Sequence, residues 1–107
     1  MSFVSDSDWC KWGRMDPYFG VVSFDEFKAD RIADNRDRFF ETGRREIGLV
    51  LKDIKSRYGD AARRRALDFG SGVGRLVLPL TAHYDKVVGV DISEAMNAEA
   101  RQNCRKS

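Results

Sequence analysis

Ala66-Leu67-Asp68-Phe69-Gly70-Ser71-Gly72-Val73-Gly74-Arg75, followed by Val87-Val88-Gly89-Val90-Asp91, decides the fold of this 107-residue chain. The first segment reads as a short apolar strand running into a glycine turn, and the second as a strand ending in a carboxylate. Three glycines at alternate positions fit a backbone that bends sharply and approaches a ligand closely. Where such a turn opens a helix, its N–H groups and the partial positive charge of the helix favour a bound anion. Asp91 lies 21 positions after Gly70, about where an acid ending the second strand grips ribose hydroxyls. Together the two segments read as half of a nucleotide-cofactor pocket.

The glycine spacing bears on which cofactor this is. A dinucleotide fingerprint places glycines at the first, third and sixth positions of the turn, the last for close helix packing. Here they fall at Gly70, Gly72 and Gly74, the sixth position is Arg75, and Asp68 stands two residues before the first glycine. These residues resemble the first motif of the class I S-adenosylmethionine-dependent methyltransferases, an acid followed by G-x-G-x-G. Ser71 stands where many members of that family carry Cys, a harmless change if peptide N–H groups do the binding. Asp16-Pro17-Tyr18-Phe19-Gly20 and Phe39-Phe40-Glu41-Thr42-Gly43 resemble an N-terminal extension found in one group of bacterial small-molecule methyltransferases.

The resemblance implies S-adenosyl-L-methionine as cofactor. That molecule has no pyrophosphate and presents a carboxylate, an ammonium and a sulfonium, so acids near the turn suit its cations and bare backbone suits its carboxylate. Gly70, Ser71, Gly72 and Gly74 are the implied backbone cradle and Asp91 the ribose ligand. Asp68 either contacts the cofactor, directly or through water, or holds the glycine loop by accepting backbone N–H bonds. Ile92 flanks the adenosine or serves the core, and Tyr18 is a contact if the aromatic N-terminal arm closes as a lid. His83, the single histidine, lies roughly 14 Å from the turn along a helix and reads as a helix-terminal partner for backbone carbonyls. Arg75 reads as solvated or locally paired. No residue stands out as a general base.

The fold class expected is α/β, a Rossmann-like doubly wound parallel sheet, of which this chain supplies the first two strands with flanking helices. Residues 1–22 read as an irregular aromatic arm, and residues 23–107 as the N-terminal half of the methyltransferase domain. Ser23-Phe24-Asp25-Glu26 has the form of a capping box and predicts a helix over 24–40. Apolar residues at helical spacing predict a second helix over 44–58, stopped by Gly59. Strands are expected at 66–69 and 87–90, both covered by helices on two faces. A helix over 73–84 is kinked or shortened by Pro79. A last helix over 94–105, capped by Ser93, buries Met96, Ala100 and Cys104.

Hydrophobic residues at 42% suffice for a core, while a charged share of 34% with net charge +2 describes a solvated surface without a strong nucleic-acid signature. Arg63-Arg64-Arg65 reads as a solvated strand entry. Cys10 and Cys104 are too few for a disulfide framework, and no metal-ligand spacing occurs. With no bilayer-length apolar run and no signal peptide, the chain is expected in the cytoplasm. The expected partners are a small-molecule substrate and, through the exposed edge of the first strand, a second copy of the chain; neither nucleic acid nor membrane is expected. The activity expected is methyl transfer, with the isolated chain inactive because the family places its substrate loop later. The alternatives are a noncatalytic binding or assembly module and a dinucleotide-binding oxidoreductase domain.

Overall fold

A computed structural model describes residues 5–107. The elements run α1 (Asp6–Met15), α2 (Pro17–Val21), a 3-10 turn at Asp25–Phe27, α3 (Ile32–Tyr58), β1 (Arg65–Phe69), α4 (Val77–Leu80), β2 (Lys86–Val90) and α5 (Glu94–Lys106). The two strands pair in parallel with Leu67 opposite Val88 and Phe69 opposite Val90. This is the α/β class expected, a partial Rossmann-like fold of two parallel strands with helices beside them.

Aromatic residues from the N-terminal half build the core. Tyr18, Phe27, Phe39 and Phe40 cluster with Val73 from the glycine turn and Met96 from α5. Phe39 is fully buried and meets Tyr18, Phe27 and Phe40 edge-on at 5.0, 5.2 and 5.2 Å between ring centres. Edge-to-face contacts place the positive rim of one ring on the negative face of another, adding about 0.5–1.5 kcal/mol per pair to the burial itself. The glycine turn is thus bolted to the N-terminal helices through Val73.

The N-terminal segment is helical, not an irregular arm; residues 1–4 of that expected arm lie outside the described residues. A capping box starts α1, with Ser5 Oγ accepting from Asp8 N and the Asp8 carboxylate accepting from Ser5 N. Pro17 begins α2 at the first helical position, where its missing N–H removes no helical bond. The capping box expected at Ser23 does not form. Ser23 Oγ donates instead to the Phe19 carbonyl at 3.0 Å, and the chain turns tightly so that Phe27 is buried against Phe39. Full burial of a Phe side chain stabilises by about 1.5–3 kcal/mol, more than a cap contributes, about 1 kcal/mol.

One helix of 27 residues replaces the two expected over 24–40 and 44–58. Gly43, which marks a break in the sequence, is a contact: a Cβ there would lie 2.0 Å from the Arg75 carbonyl oxygen. Its bare backbone lets α3 touch the end of the glycine turn, and Phe39, Gly43, Ile47 and Leu51 line one buried stripe. The helix expected over 73–84 shrinks to α4, four residues long. Gly72 and Gly74, at φ 55° and 92°, hold left-handed conformations that cannot begin a right-handed helix. On α5 the buried polar end of the stripe is Asn103, whereas Cys104 is exposed.

Among the described residues, helices cover one face of the sheet, not both. Val77 and Ser71 pack on the Gly89 side, so closely that a Cβ on Gly89 would lie 2.8 and 2.7 Å from Val77 Cγ2 and Ser71 Oγ. The opposite face leaves Leu67, Phe69, Val88 and Val90 exposed, Phe69 by 87%.

Candidate cofactor site

The glycine turn is stitched to the C-terminal end of β2. Gly70 N and Ser71 N both donate to the Val90 carbonyl, at 2.7 and 2.9 Å. The Asp91 carboxylate accepts from Gly72 N through Oδ2 at 2.8 Å and from Ser93 N through Oδ1 at 2.9 Å. Charge-assisted bonds of this kind are about twice as strong as neutral ones, so Asp91 fixes the turn and the entry to α5 together. Each carboxylate oxygen keeps acceptor capacity beyond these bonds. Of the two acids in the motif, Asp91 accepts the loop N–H that the sequence had offered to Asp68.

Beside the turn lies an open cavity of about 670 Å³. Phe69, Gly70, Gly72, Val90, Asp91 and Ile92 form its floor and one wall, Val21 and Met96 close it from α2 and α5, and Asp6 and Trp9 of α1 stand across it. Gly70, Gly72, Asp91 and Ile92 are thereby brought together as the sequence suggested. The other candidates are elsewhere. Ser71 is buried under Gly89, and Gly74 faces Ala100 of α5. Because side chains alternate along a strand, Asp68 points to the sheet face opposite Phe69; burial raises its pKa, with Asp91 and Glu46 adding to the rise and Arg75 opposing it.

Tyr18 is a core residue and does not line the cavity. Its hydroxyl donates to Glu99 Oε1 at 2.6 Å and accepts from Asn103 Nδ2 at 3.1 Å. Asn103 also donates to the Val73 carbonyl at 2.9 Å and accepts from Arg36 Nη2 at 2.7 Å. This buried network ties α2, α3 and α5 to the glycine turn. Burial first, and then the bond to Glu99, pushes the Tyr18 pKa up to about 12. Arg75 pairs locally with Glu46 of α3. His83 is exposed beyond α4 and its side chain bonds to no carbonyl among the described residues.

Asp6, Trp9, Val21 and Met96 were not singled out in the sequence as cavity residues. The signal that could have found the first two is the Ser5-x-x-Asp8 box, which turns a seemingly irregular arm into a helix with Asp6 and Trp9 on one face.

Comparison with known proteins bears on the same stretch. Residues 66–107, from β1 to the end of α5, match the family model of a methyltransferase domain. The C-terminal part of the chain is methyltransferase domain. An uncharacterized methyltransferase of Bacillus pumilus (strain SAFR-032) is 36% identical over 73 residues, 68% of this chain and 32% of that protein. A 23S rRNA (uracil(1939)-C(5))-methyltransferase of Paracidovorax citrulli (strain AAC00-1) is 39% identical over 62 residues, 57% of this chain and 13% of that protein. The chain therefore spans about a third of the first relative and less of the second. No solved structure matches it. In this methyltransferase segment the turn, Asp91 and Ile92 all fall inside the matched residues, while α1, with Asp6 and Trp9, lies outside them.

Proposed function

We propose that this chain supplies the S-adenosylmethionine-binding part of a methyltransferase acting on a small-molecule acceptor, with Gly70, Gly72, Asp91 and Ile92 meeting the cofactor. The observation that carries the reading is the donor set of the cavity beside the glycine turn. Its ionisable residues are Asp6 and Asp91, and among the described residues no Lys, Arg or His lines it. A pyrophosphate would meet two carboxylates there, whereas a sulfonium and an ammonium are attracted to them. The Gly70 and Gly72 N–H groups are already bonded to the Val90 carbonyl and the Asp91 carboxylate, so these glycines offer a ligand a wall free of side chains, and the apolar Phe69, Val90 and Ile92 suit a nucleoside. When bound, the cofactor supplies an electrophilic methyl group. The chain's residues orient it and exclude water, and positioning is the larger part of what an in-line displacement requires.

The net charge of +2 favours a small acceptor over nucleic acid. Because no His or Cys lines the cavity among the described residues, the 107-residue chain by itself is expected to bind cofactor without turnover. The exposed Leu67, Phe69, Val88 and Val90, beside an outer edge of β1 that no described strand pairs with, support self-association of the chain. Isothermal calorimetry tests the central reading. S-adenosylhomocysteine should bind more tightly than NAD, and Asp91→Ala should weaken it by about 1.5–3 kcal/mol. Tighter binding of NAD, or an unchanged Asp91→Ala variant, would contradict the proposal.

A further inference from the structure

We infer that Trp9 and Asp6 form a cation-selective wall, by which the N-terminal helix distinguishes a positively charged sulfonium ligand from its neutral thioether counterpart. The inference rests on the cofactor reading above and goes beyond it, because both residues lie outside the matched methyltransferase segment.

Placement is the first argument. Helix α1 is pinned against the loop that carries Asp91. A Cβ on Gly13 would lie 2.3 Å from Ser93 Oγ and 3.1 Å from Met96 Cγ, so only a glycine lets the helix come this close. One turn earlier the Cys10 thiol meets the Ile92 carbonyl at 3.9 Å. These contacts turn the face bearing Asp6 and Trp9 toward the cavity, and both residues line it. The two tryptophans of the helix differ accordingly. Trp12 packs against Phe19 with its ring centre 5.6 Å away and tilted by 48°, and covers Gly20, which gives it a structural task. Trp9 makes no aromatic contact among the described residues and remains 39% exposed at the cavity mouth.

Chemistry is the second argument. An indole face attracts a cation through its quadrupole, the device by which aromatic sites recognise quaternary ammonium groups. Asp6 lies three residues from Trp9, on the same helical face. Its carboxylate takes no part in the helix cap, which Ser5 and Asp8 complete. It stands in the first turn of α1, beside the positive end of the helix dipole. An aromatic face and a carboxylate side by side, opposite a second carboxylate and with no cationic residue lining the space among the described residues, select for positive charge on the ligand.

The test is a ratio of affinities. S-adenosylmethionine and S-adenosylhomocysteine are titrated calorimetrically into the wild-type chain and into Trp9→Leu, Trp9→Phe and Asp6→Asn, with far-UV circular dichroism to verify the fold. Trp9→Leu and Asp6→Asn should each weaken S-adenosylmethionine binding about fivefold and S-adenosylhomocysteine binding less than twofold, with Trp9→Phe retaining most of the affinity. In a Trp12→Phe background, where Trp9 is the sole indole, emission should change on adding ligand, and in Trp9→Phe it should not. Equal losses for the two ligands, or no loss for either, would overturn the wall while leaving the cofactor reading intact. No binding of either ligand to the wild-type chain would overturn the cofactor reading and the wall with it.

Discussion

The cluster around Phe39 and the sheet face around Phe69 are made of the same kinds of residue and end in opposite environments. Phe39 is fully buried among three other aromatic rings, while Phe69 is 87% exposed. The core of the described chain is therefore helical and N-terminal. Its β-strands, which carry the methyltransferase match, are held through the glycine turn, Gly43 and the Asn103 network instead of through two covered faces. The site lies where the two regions meet. Its floor belongs to the sheet and its far wall to α1, so the N-terminal helices and the bare sheet face border one cavity.

The contrast is broken most severely at its two phenylalanines. Phe39→Ala should destabilise the chain by about 3–5 kcal/mol, close to the whole stability of a small domain, and denaturant titration should find little folded protein. Phe69→Ser should leave the denaturation midpoint almost unchanged and reduce concentration-dependent association in light scattering. A large stability loss in Phe69→Ser would mean that the sheet face is not bare. Next in size is Gly43→Ala. With its new methyl 2.0 Å from the Arg75 carbonyl, the helix must move off the turn, at about 1–3 kcal/mol and with weaker cofactor binding. A neutral Gly43→Ala would show that α3 and the turn are not in fixed contact.

The Gly43 expectation turns on how glycine is read, which is also where the sequence was least legible. At Gly70, Gly72 and Gly74 the alternate spacing identifies a turn, and the strands beside it are apolar runs of the right length, so β1, the turn, β2 and the Ser93 cap could all be found locally. Gly43 looks the same on paper and lies inside one continuous helix, because the reason for it is a carbonyl 32 positions away. Asn103 similarly interrupts an apolar stripe, and only tertiary structure supplies the partners that let it be buried. In the site, Gly70, Gly72, Asp91 and Ile92 were legible because β-strand ends define them. Trp9 and Asp6 were not, since their approach depends on Gly13 fitting against Ser93. Tyr18, the lid residue suggested by its place in an aromatic arm, is instead held by Glu99 and Asn103 in the core.

That network sharpens the comparison through pH. Because the folded chain raises the Tyr18 pKa from 10.0 to about 12, its contribution is fully present below pH 10 and is lost as pH rises through the folded value. Wild-type stability should therefore fall more steeply between pH 10 and 12 than that of Tyr18→Phe; parallel curves would place the hydroxyl outside the core. The smallest effect is expected at Gly48, an exposed helical position where a Cβ would meet nothing within 4 Å. Gly48→Ala should stabilise by about 0.5–1 kcal/mol, and a loss would indicate an unrecognised contact on that face of α3.

The meeting of the two regions at one ligand is tested most directly by a nitrogen-15 NMR titration of the wild-type chain with S-adenosylhomocysteine. The amides of Gly70, Gly72, Ile92 and Ser93, which surround or bond to the Asp91 carboxylate, should shift together with the Trp9 indole resonance, while amides of Lys52–Tyr58 at the far end of α3 remain in place. Shifts confined to residues away from the turn, or shifts at the turn produced by NAD and not by S-adenosylhomocysteine, would contradict the account.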